Sequence, residues 1–330
     1  MFFERLTMAL HAAGDVVLPV IRRDDARAGR LRATGLAPVE LGFGGPLDLL
    51  TGRRLKAALT GFRPDVVVAW MNRAARFTPR GDYVLAGRLG GYYDLGYYRH
   101  CGHLVGNTRG IVRWIVGQGW PAGRAHYLPN FVPDMGGAPA VDRASLGVPV
   151  GVPLLLGLGR LHANKGFDVL IRAVARLPGV HALIAGEGPE RDALEDCARR
   201  EGVAGRVYLP GWRQDAGALL AACDVFVSSS RTEPLGNMVL EAWSARRPVV
   251  AAAADGPREL ITPNGIFGRE GVLVNIDDAD ALADGIRAVM DDAARSTAMV
   301  AAGRARFEQE FAQAPVVARW RSKLAELATG

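Results

Sequence analysis

Residues 224–251 read DVFVSSSRTEPLGNMVLEAWSARRPVVA, and this stretch decides the fold. Its apolar beginning predicts a buried strand over Asp224–Ser229, and its middle predicts a helix over Asn237–Ala245. A second apolar run follows at Pro248–Ala252, where another strand is predicted. A strand, a crossover helix and a strand in this order are typical of a parallel sheet that is covered on both faces.

Strand and helix alternate in the same way through most of the chain. In the second half, further strands are predicted at Pro153–Leu158, His181–Ala185, Arg206–Leu209 and Gly271–Val274. In the first half, the predicted strands are Val16–Ile21, Asp65–Trp70, Tyr83–Gly87, His103–Gly106 and Ala125–Leu128. This alternation predicts an α/β protein with parallel sheets.

The pattern is interrupted between the two halves. Residues Pro129–Val150 contain four prolines and the pair Gly136–Gly137, which is a density that favours a linker over packed structure. The chain has 330 residues, which is enough for two domains with separate cores. We therefore predict two Rossmann-like domains, at residues 1–134 and 150–312.

The composition is that of an ordinary globular protein, with 49% hydrophobic and 22% charged residues. No run of about 18 uncharged apolar residues is present, so no membrane-spanning helix is expected. Glu4 and Arg5 interrupt the apolar start, which predicts an amphipathic helix leading into a strand rather than a secretory signal. The three cysteines form no CxxC pair, which favours a reducing compartment and predicts a cytoplasmic protein.

Positive charge is concentrated in the first half of the chain. Residues 1–150 hold 19 Lys and Arg against 11 Asp and Glu, whereas residues 151–330 hold 21 against 23. The excess predicts an acidic partner, either a phosphorylated acceptor or the anionic inner face of a membrane. A solvated arginine-rich face is the alternative, because the excess is spread out. No nucleic-acid partner is predicted.

The loops after the predicted strands carry residues suited to ligand chemistry, because ligands of parallel sheets bind beyond the carboxyl ends of the strands. After Pro153–Leu158 comes GRLHANKG, residues 159–166, which opens a helix. Gly159 allows a ligand to approach the backbone closely, Arg160 can bind a diphosphate with its planar fork, and Lys165 adds a point charge. A plain turn with exposed cations is the alternative interpretation.

The loop after His181–Ala185 is GEGPE, residues 186–190. Its two glycines again allow a ligand to approach the backbone, and Gly188 is the candidate contact. The alternative is a tight turn into a helix that starts at Pro189, which explains this loop when it is taken alone.

The stretch 224–251 contains the most informative loop. Glu233 precedes the predicted helix, and Glu241 lies about one turn inside it. The first carboxylate can accept sugar hydroxyls, and the second can reach another part of the same ligand, such as a ribose. The amides at the helix start are donors for an anion; they belong to Leu235, Gly236, Asn237 and Met238. Helix capping by Glu233 and a solvated Glu241 are the alternatives for each residue taken singly.

Four motifs in this order resemble glycosyltransferase family 4, a retaining family with the GT-B fold of two Rossmann-like domains. They are GRLHANKG (159–166), GEGPERDAL (186–194), SSSRTEPLGNMVLEAWSARRPVVA (228–251) and DGPRELI (255–261). The resemblance implies that Arg160 and Lys165 contact the diphosphate of a nucleotide-sugar donor. It also implies that Glu233 and the helix amides hold the sugar and phosphate, and that Glu241 holds the ribose. Transfer of a hexose without metal or cofactor is implied as well.

The resemblance is looser in the first half. LPNFVPD, residues 128–134, is similar to the segment that joins the family's two domains, and a helix at 313–330 is expected to pack back on the first domain. Because the chain starts with the helix that follows the family's first strand and glycine-rich loop, we expect the first domain to lack that strand. The acceptor is expected to be a saccharide or a lipid-linked saccharide of envelope polysaccharide or lipopolysaccharide synthesis. The candidate acceptor residues are Asn72, Arg73, Arg88 and Tyr92.

Two other classes of protein fit parts of the pattern. A nicotinamide dehydrogenase needs G-x-G-x-x-G after a strand, and GLGRLH at 157–162 lacks the third glycine. A protein of the same fold that binds nucleotide sugar without transferring it would fit a first domain that lacks its glycine-rich loop. Assays of donor hydrolysis and of transfer separate such a remnant from an enzyme.

Overall fold

The chain divides into two compact units. The structure is a computed structural model that describes residues 2–44, 48–261 and 268–329. The first unit comprises Met1–Phe131 and Gln313–Gly330, and the second comprises Val132–Ala312. Each unit is built on parallel strands.

The first unit alternates helices with short strands. Its strands are β1 (Val20–Arg22), β2 (Val39–Leu41), β3 (Val66–Trp70), β4 (Val84–Leu89), β5 (His103–Gly106) and β6 (Ala125–Tyr127). Its helices before the second unit are α1 (Phe2–Ala12), α2 (Asp25–Arg32), α3 (Leu49–Phe62), α4 (Met71–Phe77) and α5 (Arg109–Gly117).

The second unit continues the alternation. Its described strands are β7 (Leu154–Leu158), β8 (His181–Ala185), β9 (Val207–Tyr208), β10 (Val225–Ser228), β11 (Val249–Ala252) and β12 (Val272–Val274). Its helices are α6 (Phe167–Ala175), α7 (Arg191–Arg200), α8 (Ala216–Ala222), α9 (Asn237–Ser244), α10 (Asp255–Leu260), α11 (Ala279–Asp291) and α12 (Ala293–Arg306). A π-helical turn at Phe307–Phe311 follows, and α13 (Gln313–Thr329) returns to the first unit.

The strand order confirms the predicted α/β class. The second unit has one parallel sheet in the order β12-β11-β10-β7-β8-β9. The chain starts at β7, adds strands on one side and then crosses to add β10 on the other, so that β7 and β10 flank a switch point. Ligands of such sheets bind beyond the carboxyl ends of the strands at this point. In the first unit the described strands form a pair, β1-β2, and a separate sheet, β3-β4-β5-β6.

Both faces of the second sheet are covered, which explains its continuous apolar strands. Leu155 of β7 packs into one core cluster together with Leu170 of α6. Its neighbours Leu154 and Leu156 point to the other face and pack into a second cluster with Leu240 of α9. Because successive residues of a strand face opposite sides, burial on both sides requires apolar residues at every position.

One face of the first unit's larger sheet is covered by its first and last helices. Leu6 and Leu10 of α1 share a core cluster with Trp320 of α13 and with Val105 of β5. Trp320 also stacks on Trp70 of β3, with ring centroids 6.2 Å apart. This packing joins two helices that lie about 300 residues apart in the chain. Within the described ranges, no helix combines the length and the apolar character that crossing a bilayer needs.

The largest departures from the predicted elements lie between residues 13 and 41. The first strand was predicted at Val16–Ile21 but begins at Val20, and the side chain of Val16 is 85% exposed. Neither α2 nor β2 was predicted. Helix α2 is mostly polar and buries only Ala28 and Leu31, while β2 is three residues long. Elements this short carry too few apolar positions for a period to be recognised, and packing against neighbours stabilises them.

Candidate functional site

The carboxyl edge of the second unit's sheet carries the candidate site. Four neighbouring strands end there, in the order β11, β10, β7 and β8. Since parallel strands end on the same edge, their loops become neighbours although they are distant in the chain. The loops after β7 and β10 are in direct contact, because the amide of Arg231 donates to the carbonyl oxygen of Asn164 at 2.8 Å.

Lys165 and Glu233 form the centre of this edge. The Lys165 ammonium and the Glu233 carboxylate make an ion pair in which Nζ and Oε2 are 2.5 Å apart. The side chains are 23% and 16% exposed, so the pair is shielded yet reachable from solvent. An ammonium has three N–H donors, and Glu233 uses one of them, which leaves capacity for a ligand oxygen.

Backbone conformation at two glycines places these side chains. Gly166 follows Lys165 with φ +60°, and α6 begins at the next residue. Gly236 precedes α9 with φ +85°. Such left-handed conformations favour glycine, so both turns into a helix depend on it. Each turn puts the residues before it at the positive N-terminal end of a helix.

The start of α9 is arranged differently from the prediction in one respect. The amide of Gly236, predicted to face a ligand anion, donates to Glu233 Oε1 at 3.3 Å. Leu235 is buried, Asn237 is exposed and Met238 is half-buried. Glu241 lies inside α9 with only 6% of the residue exposed, so it is not the solvated helix residue of the alternative interpretation.

Arg160 stands apart from the Lys165–Glu233 pair. Its side chain is exposed, and among the described residues it takes part in none of the ion pairs that organise the second unit. An exposed guanidinium at a strand end, next to a glycine with φ +145° at position 159, can reach an anion that arrives from solvent.

The glycines after β7 and β8 allow two loops to pack backbone to backbone. A Cβ atom at Gly186 would overlap the carbonyl oxygen of Gly159, and a Cβ atom at Gly188 would overlap that of Leu161. The amide of Leu161 donates to the carbonyl oxygen of Glu187 at 2.9 Å, which closes the contact. On the side where a Cβ would point, the space at Gly186 and Gly188 is thus filled by protein backbone.

Arg231 is an organising residue that sequence reasoning missed. Its guanidinium donates to both carboxylate oxygens of Asp168, at 2.8 and 2.7 Å, and to Asp277 at 2.6 Å. It also donates to the carbonyl oxygen of Ala163 at 2.7 Å. Burial by itself would raise the pKa of Asp168, but the hydrogen bonds and charge of Arg231 outweigh it and lower the pKa. Arg231 therefore holds the loop after β10 against the loop that carries Lys165.

Replacing Arg231 by Met is expected to lower the free energy of unfolding of the second unit by about 1–3 kcal/mol, because Asp168 loses its bidentate partner while it remains half-buried. Chemical denaturation measures this. The matched control is Arg213→Met, which breaks the bidentate contact with nearby Asp215 at the surface and should cost less stability than Arg231→Met does.

The pair of Arg231 with Asp168 also predicts how the stability of the protein depends on pH. A carboxyl group whose pKa is lowered on folding stabilises the protein above its ordinary pKa of 3.8, and this contribution is lost as pH falls through the folded value. The difference in stability between the unmodified chain and Arg231→Met should therefore shrink below about pH 4.

At neutral pH, equal losses of stability in Arg231→Met and Arg213→Met would contradict the organising role of Arg231.

Three of the four candidate residues of the first unit have separate described partners. Asn72, on α4, accepts a hydrogen bond from the Tyr98 hydroxyl at 2.8 Å, and Arg73 donates to the carbonyl oxygen of Phe43 at 3.3 Å. Tyr92 is 43% exposed and meets the Trp114 ring edge-on. Asn72 and Arg73 lie in the first turn of α4, which begins at Met71 directly after β3.

Arg88, in contrast, is buried. It lies near the end of β4 with 7% of the residue exposed, and its guanidinium is above the rings of Trp70 and Phe2, 5.0 and 5.5 Å from their centroids. Its Nη2 donates to Asn130 Oδ1 at 2.5 Å. Trp70 and Arg88 are register partners on neighbouring strands, which explains why the two side chains meet.

Two units with parallel sheets, and an acid–cation pair at the switch point of the second one, fit the GT-B fold, and comparisons with known proteins show that the class is that of the glycosyltransferases. The family model described as Glycosyl transferases group 1 matches residues 152–292. Over 321 residues the chain is 35% identical to the lipopolysaccharide core biosynthesis glycosyltransferase LpsE of Rhizobium meliloti (strain 1021), covering 94% of this chain and 91% of the relative. The chain belongs to this family of glycosyltransferases.

Two further comparisons agree with this assignment. Over 317 residues the chain is 33% identical to the lipopolysaccharide core biosynthesis glycosyltransferase LpsD of the same organism, covering 94% of this chain and 90% of the relative. The crystal structure of Anabaena Alr3699/HepE in complex with UDP and glucose superposes with a TM-score of 0.81 at 22% identity, covering 98% and 95% of the two chains. At this identity the superposition supports the fold.

Proposed function

We propose that this chain is a retaining glycosyltransferase of family 4 that moves a hexose from a nucleoside-diphosphate sugar to a saccharide or lipid-linked acceptor. The observation that carries the proposal is the ion pair of Lys165 with Glu233, 2.5 Å long, at the carboxyl edge of β7 and β10. A cation, an acid and a helix start that meet at a switch point suit a ligand with a diphosphate and a sugar.

The donor diphosphate is proposed to lie between Arg160, Lys165 and the first amides of α9. Breaking the bond between sugar and phosphate puts negative charge on the leaving diphosphate. Fixed cations and helix amides stabilise that charge without having to reorganise during the reaction. In this proposal protein cations supply the electrostatic stabilisation, so that no metal ion or other cofactor is required.

The two carboxylates are proposed to hold the sugar end and the nucleotide end of the donor. Glu233 is oriented by Lys165 and by the Gly236 amide, and its remaining lone pairs can accept sugar hydroxyls. Glu241 lies further inside α9 and is proposed to accept the ribose hydroxyls. Gly159, Gly188 and the segment 235–238 would line the donor site through their backbone.

The acceptor is proposed to bind on the first unit and to belong to lipopolysaccharide core or other envelope polysaccharide synthesis. Two relatives that match more than nine-tenths of this chain carry the first of these names. The surplus of Lys and Arg in residues 1–150 suits an acidic acceptor and a peripheral contact with an anionic membrane. We propose that the enzyme acts in the cytoplasm, at the inner face of that membrane, and does not bind nucleic acid.

Calorimetric titration with UDP, GDP and ADP tests the donor proposal. One of the three should bind with a Kd in the micromolar range or below, and the corresponding nucleotide sugars should then release nucleotide when lipopolysaccharide core is supplied. NMR of the product should show the anomeric configuration of the donor. Absence of binding by all three nucleotides would contradict a donor site; binding without transfer to any acceptor would favour the non-catalytic remnant of the same fold.

A further inference from the structure

Arg88 of the first unit is a buried cation whose described partners are uncharged. The residue is 7% exposed, and the partner of its terminal nitrogen Nη2 is the side-chain amide oxygen of Asn130. The guanidinium also lies above the faces of Trp70 and Phe2. The Nε atom is fully buried and has no hydrogen-bond acceptor among the residues that the structure describes.

Such a position is costly for a guanidinium. Burial disfavours the charged form and lowers the pKa of Arg88 to about 10, and the titratable groups that face it are the hydroxyls of Tyr93 and Tyr98 rather than a carboxylate. At neutral pH the side chain still carries its charge. Buried charges in proteins are normally paired, and aromatic faces and one amide compensate only part of the lost hydration.

The surroundings of Arg88 lie at the edge where a ligand would arrive. Arg88 is the penultimate residue of β4, so it sits at the carboxyl end of a parallel strand. Gly90, two residues on, has no side chain to cover the guanidinium: a Cβ atom there would come within 2.8 Å of Nη1. The guanidinium itself thus takes the space that a side chain at position 90 would need, so that glycine lets Arg88 lie against the backbone at this edge.

A second buried polar atom without a described partner lies at the end of the next strand. Leu89 and Gly106 are register partners, and Asn107 follows Gly106 directly. Asn107 is 3% exposed, and its Oδ1 has no hydrogen-bond donor among the described residues. The edge thus combines a donor with positive charge and an acceptor, which matches a ligand that carries both an anionic group and hydroxyls.

We infer that Arg88 binds an anionic group of the acceptor, a phosphate or carboxylate carried by a saccharide, with Asn107 accepting one of its hydroxyls. The inference rests on the proposed transfer to a saccharide acceptor and specifies its chemical class. Asn130 holds the guanidinium through Nη2, and the proposed anion accepts from the remaining nitrogens, Nη1 and Nε. A charge-assisted contact of this kind contributes strongly to affinity because the guanidinium is already dehydrated and fixed.

Calorimetric titration with glucose 6-phosphate, glucuronic acid and glucose tests the inference. The experiment is done in the Arg160→Ala/Lys165→Ala double variant of the full chain, so that phosphate cannot bind at the proposed donor site. We expect glucose 6-phosphate or glucuronic acid to bind and glucose to bind at least about tenfold more weakly. Binding of glucose 6-phosphate alone identifies a phosphate site, and binding of glucuronic acid alone identifies a carboxylate site.

Two further substitutions in that double variant assign the response to Arg88. Arg88→Gln removes the charge and should weaken binding of the anionic sugar at least about tenfold. Asn130→Asp places a carboxylate beside the guanidinium, so it should raise the melting temperature and also abolish anion binding. Because this variant strengthens the fold, a loss of binding in it is not the result of unfolding. Exposed Arg54→Gln is the control and should bind as the double variant does.

Equal affinity for the charged and neutral sugars, or unchanged anion binding in Arg88→Gln and Asn130→Asp, would overturn the inference and leave Arg88 with a structural role. The donor proposal is judged separately, by whether the Arg160→Ala/Lys165→Ala variant loses nucleotide binding.

Discussion

Replacing Arg160 or Lys165 by Ala is expected to lower turnover by about two orders of magnitude each, while the chain stays folded. The expected loss corresponds to about 3 kcal/mol of transition-state stabilisation, which is typical when one fixed donor to a developing negative charge is removed. Initial rates of nucleotide release, measured at saturating donor and acceptor, are the direct readout.

The two variants should differ in a second measurement. Lys165 is paired with Glu233, so Lys165→Ala also leaves that half-buried carboxylate without its cation, whereas Arg160 is exposed and its loss disturbs no described ion pair. Lys165→Ala should therefore lower the melting temperature as well as the rate, and Arg160→Ala should lower the rate alone.

The control for this experiment is Arg200→Ala, which removes an exposed cation of α7 outside the site loops. It should leave turnover unchanged. If both the Arg160 and Lys165 variants transfer sugar at the normal rate, the cations are not aimed at the leaving group and the proposed mechanism is wrong.

Among Gly→Ala substitutions in the loops at the carboxyl edge of the second unit's sheet, Gly186→Ala is expected to lower the stability most. Gly186 follows β8, and its Cα faces the carbonyl oxygen of Gly159, which follows the neighbouring strand β7. A Cβ atom would overlap that oxygen, and both partners are backbone, so no side-chain rotation can relieve the clash. Overpacking typically costs about 1–3 kcal/mol, and a clash that no rotation can relieve belongs at the upper end of that range, about 3 kcal/mol.

A cost of that size should lower the melting temperature by roughly 6–12 °C for a unit of this size. Turnover should fall too, since Arg160 follows Gly159 directly and moves with it. Differential scanning calorimetry and the rate assay measure the two effects.

Gly205→Ala is the matched control for the stability measurement. Gly205 is exposed in a turn after α7, and no atom lies within 4 Å of the position that a Cβ would take. The control should melt within about 2 °C of the unmodified chain. If Gly186→Ala melts as the control does, then the two loops are not held backbone to backbone as the structure has them.

The sequence predicted part of the candidate site. Lys165 and Glu233 lie 68 residues apart, and what joined them in the sequence analysis was that each follows a predicted strand of one parallel sheet. That rule says which loops become neighbours, but it does not say which atoms touch. Only the structure shows the ion pair itself and the hydrogen bond from the Gly236 amide to Glu233.

The contacts of Arg231 and Arg88 had no recognisable signal in the sequence, although Arg88 was a candidate acceptor residue. Both look like ordinary arginines next to strands, and the residues that define them are distant in the chain: Asp168 for Arg231, and Asn130 for Arg88. Nothing local distinguishes an arginine that clamps a loop, or one that is buried on aromatic rings, from one that points into water.

The sequence by itself determined the α/β class and the positions of the buried strands β7, β8, β10 and β11, because burial on both faces forces an unbroken apolar run that is visible within five residues. Only the tertiary structure decided the short elements α2 and β2, the contact of Gly186 with Gly159, and the partners of the buried charges. These depend on atoms that packing brings together from distant parts of the chain, and such contacts leave no period or spacing in the local sequence.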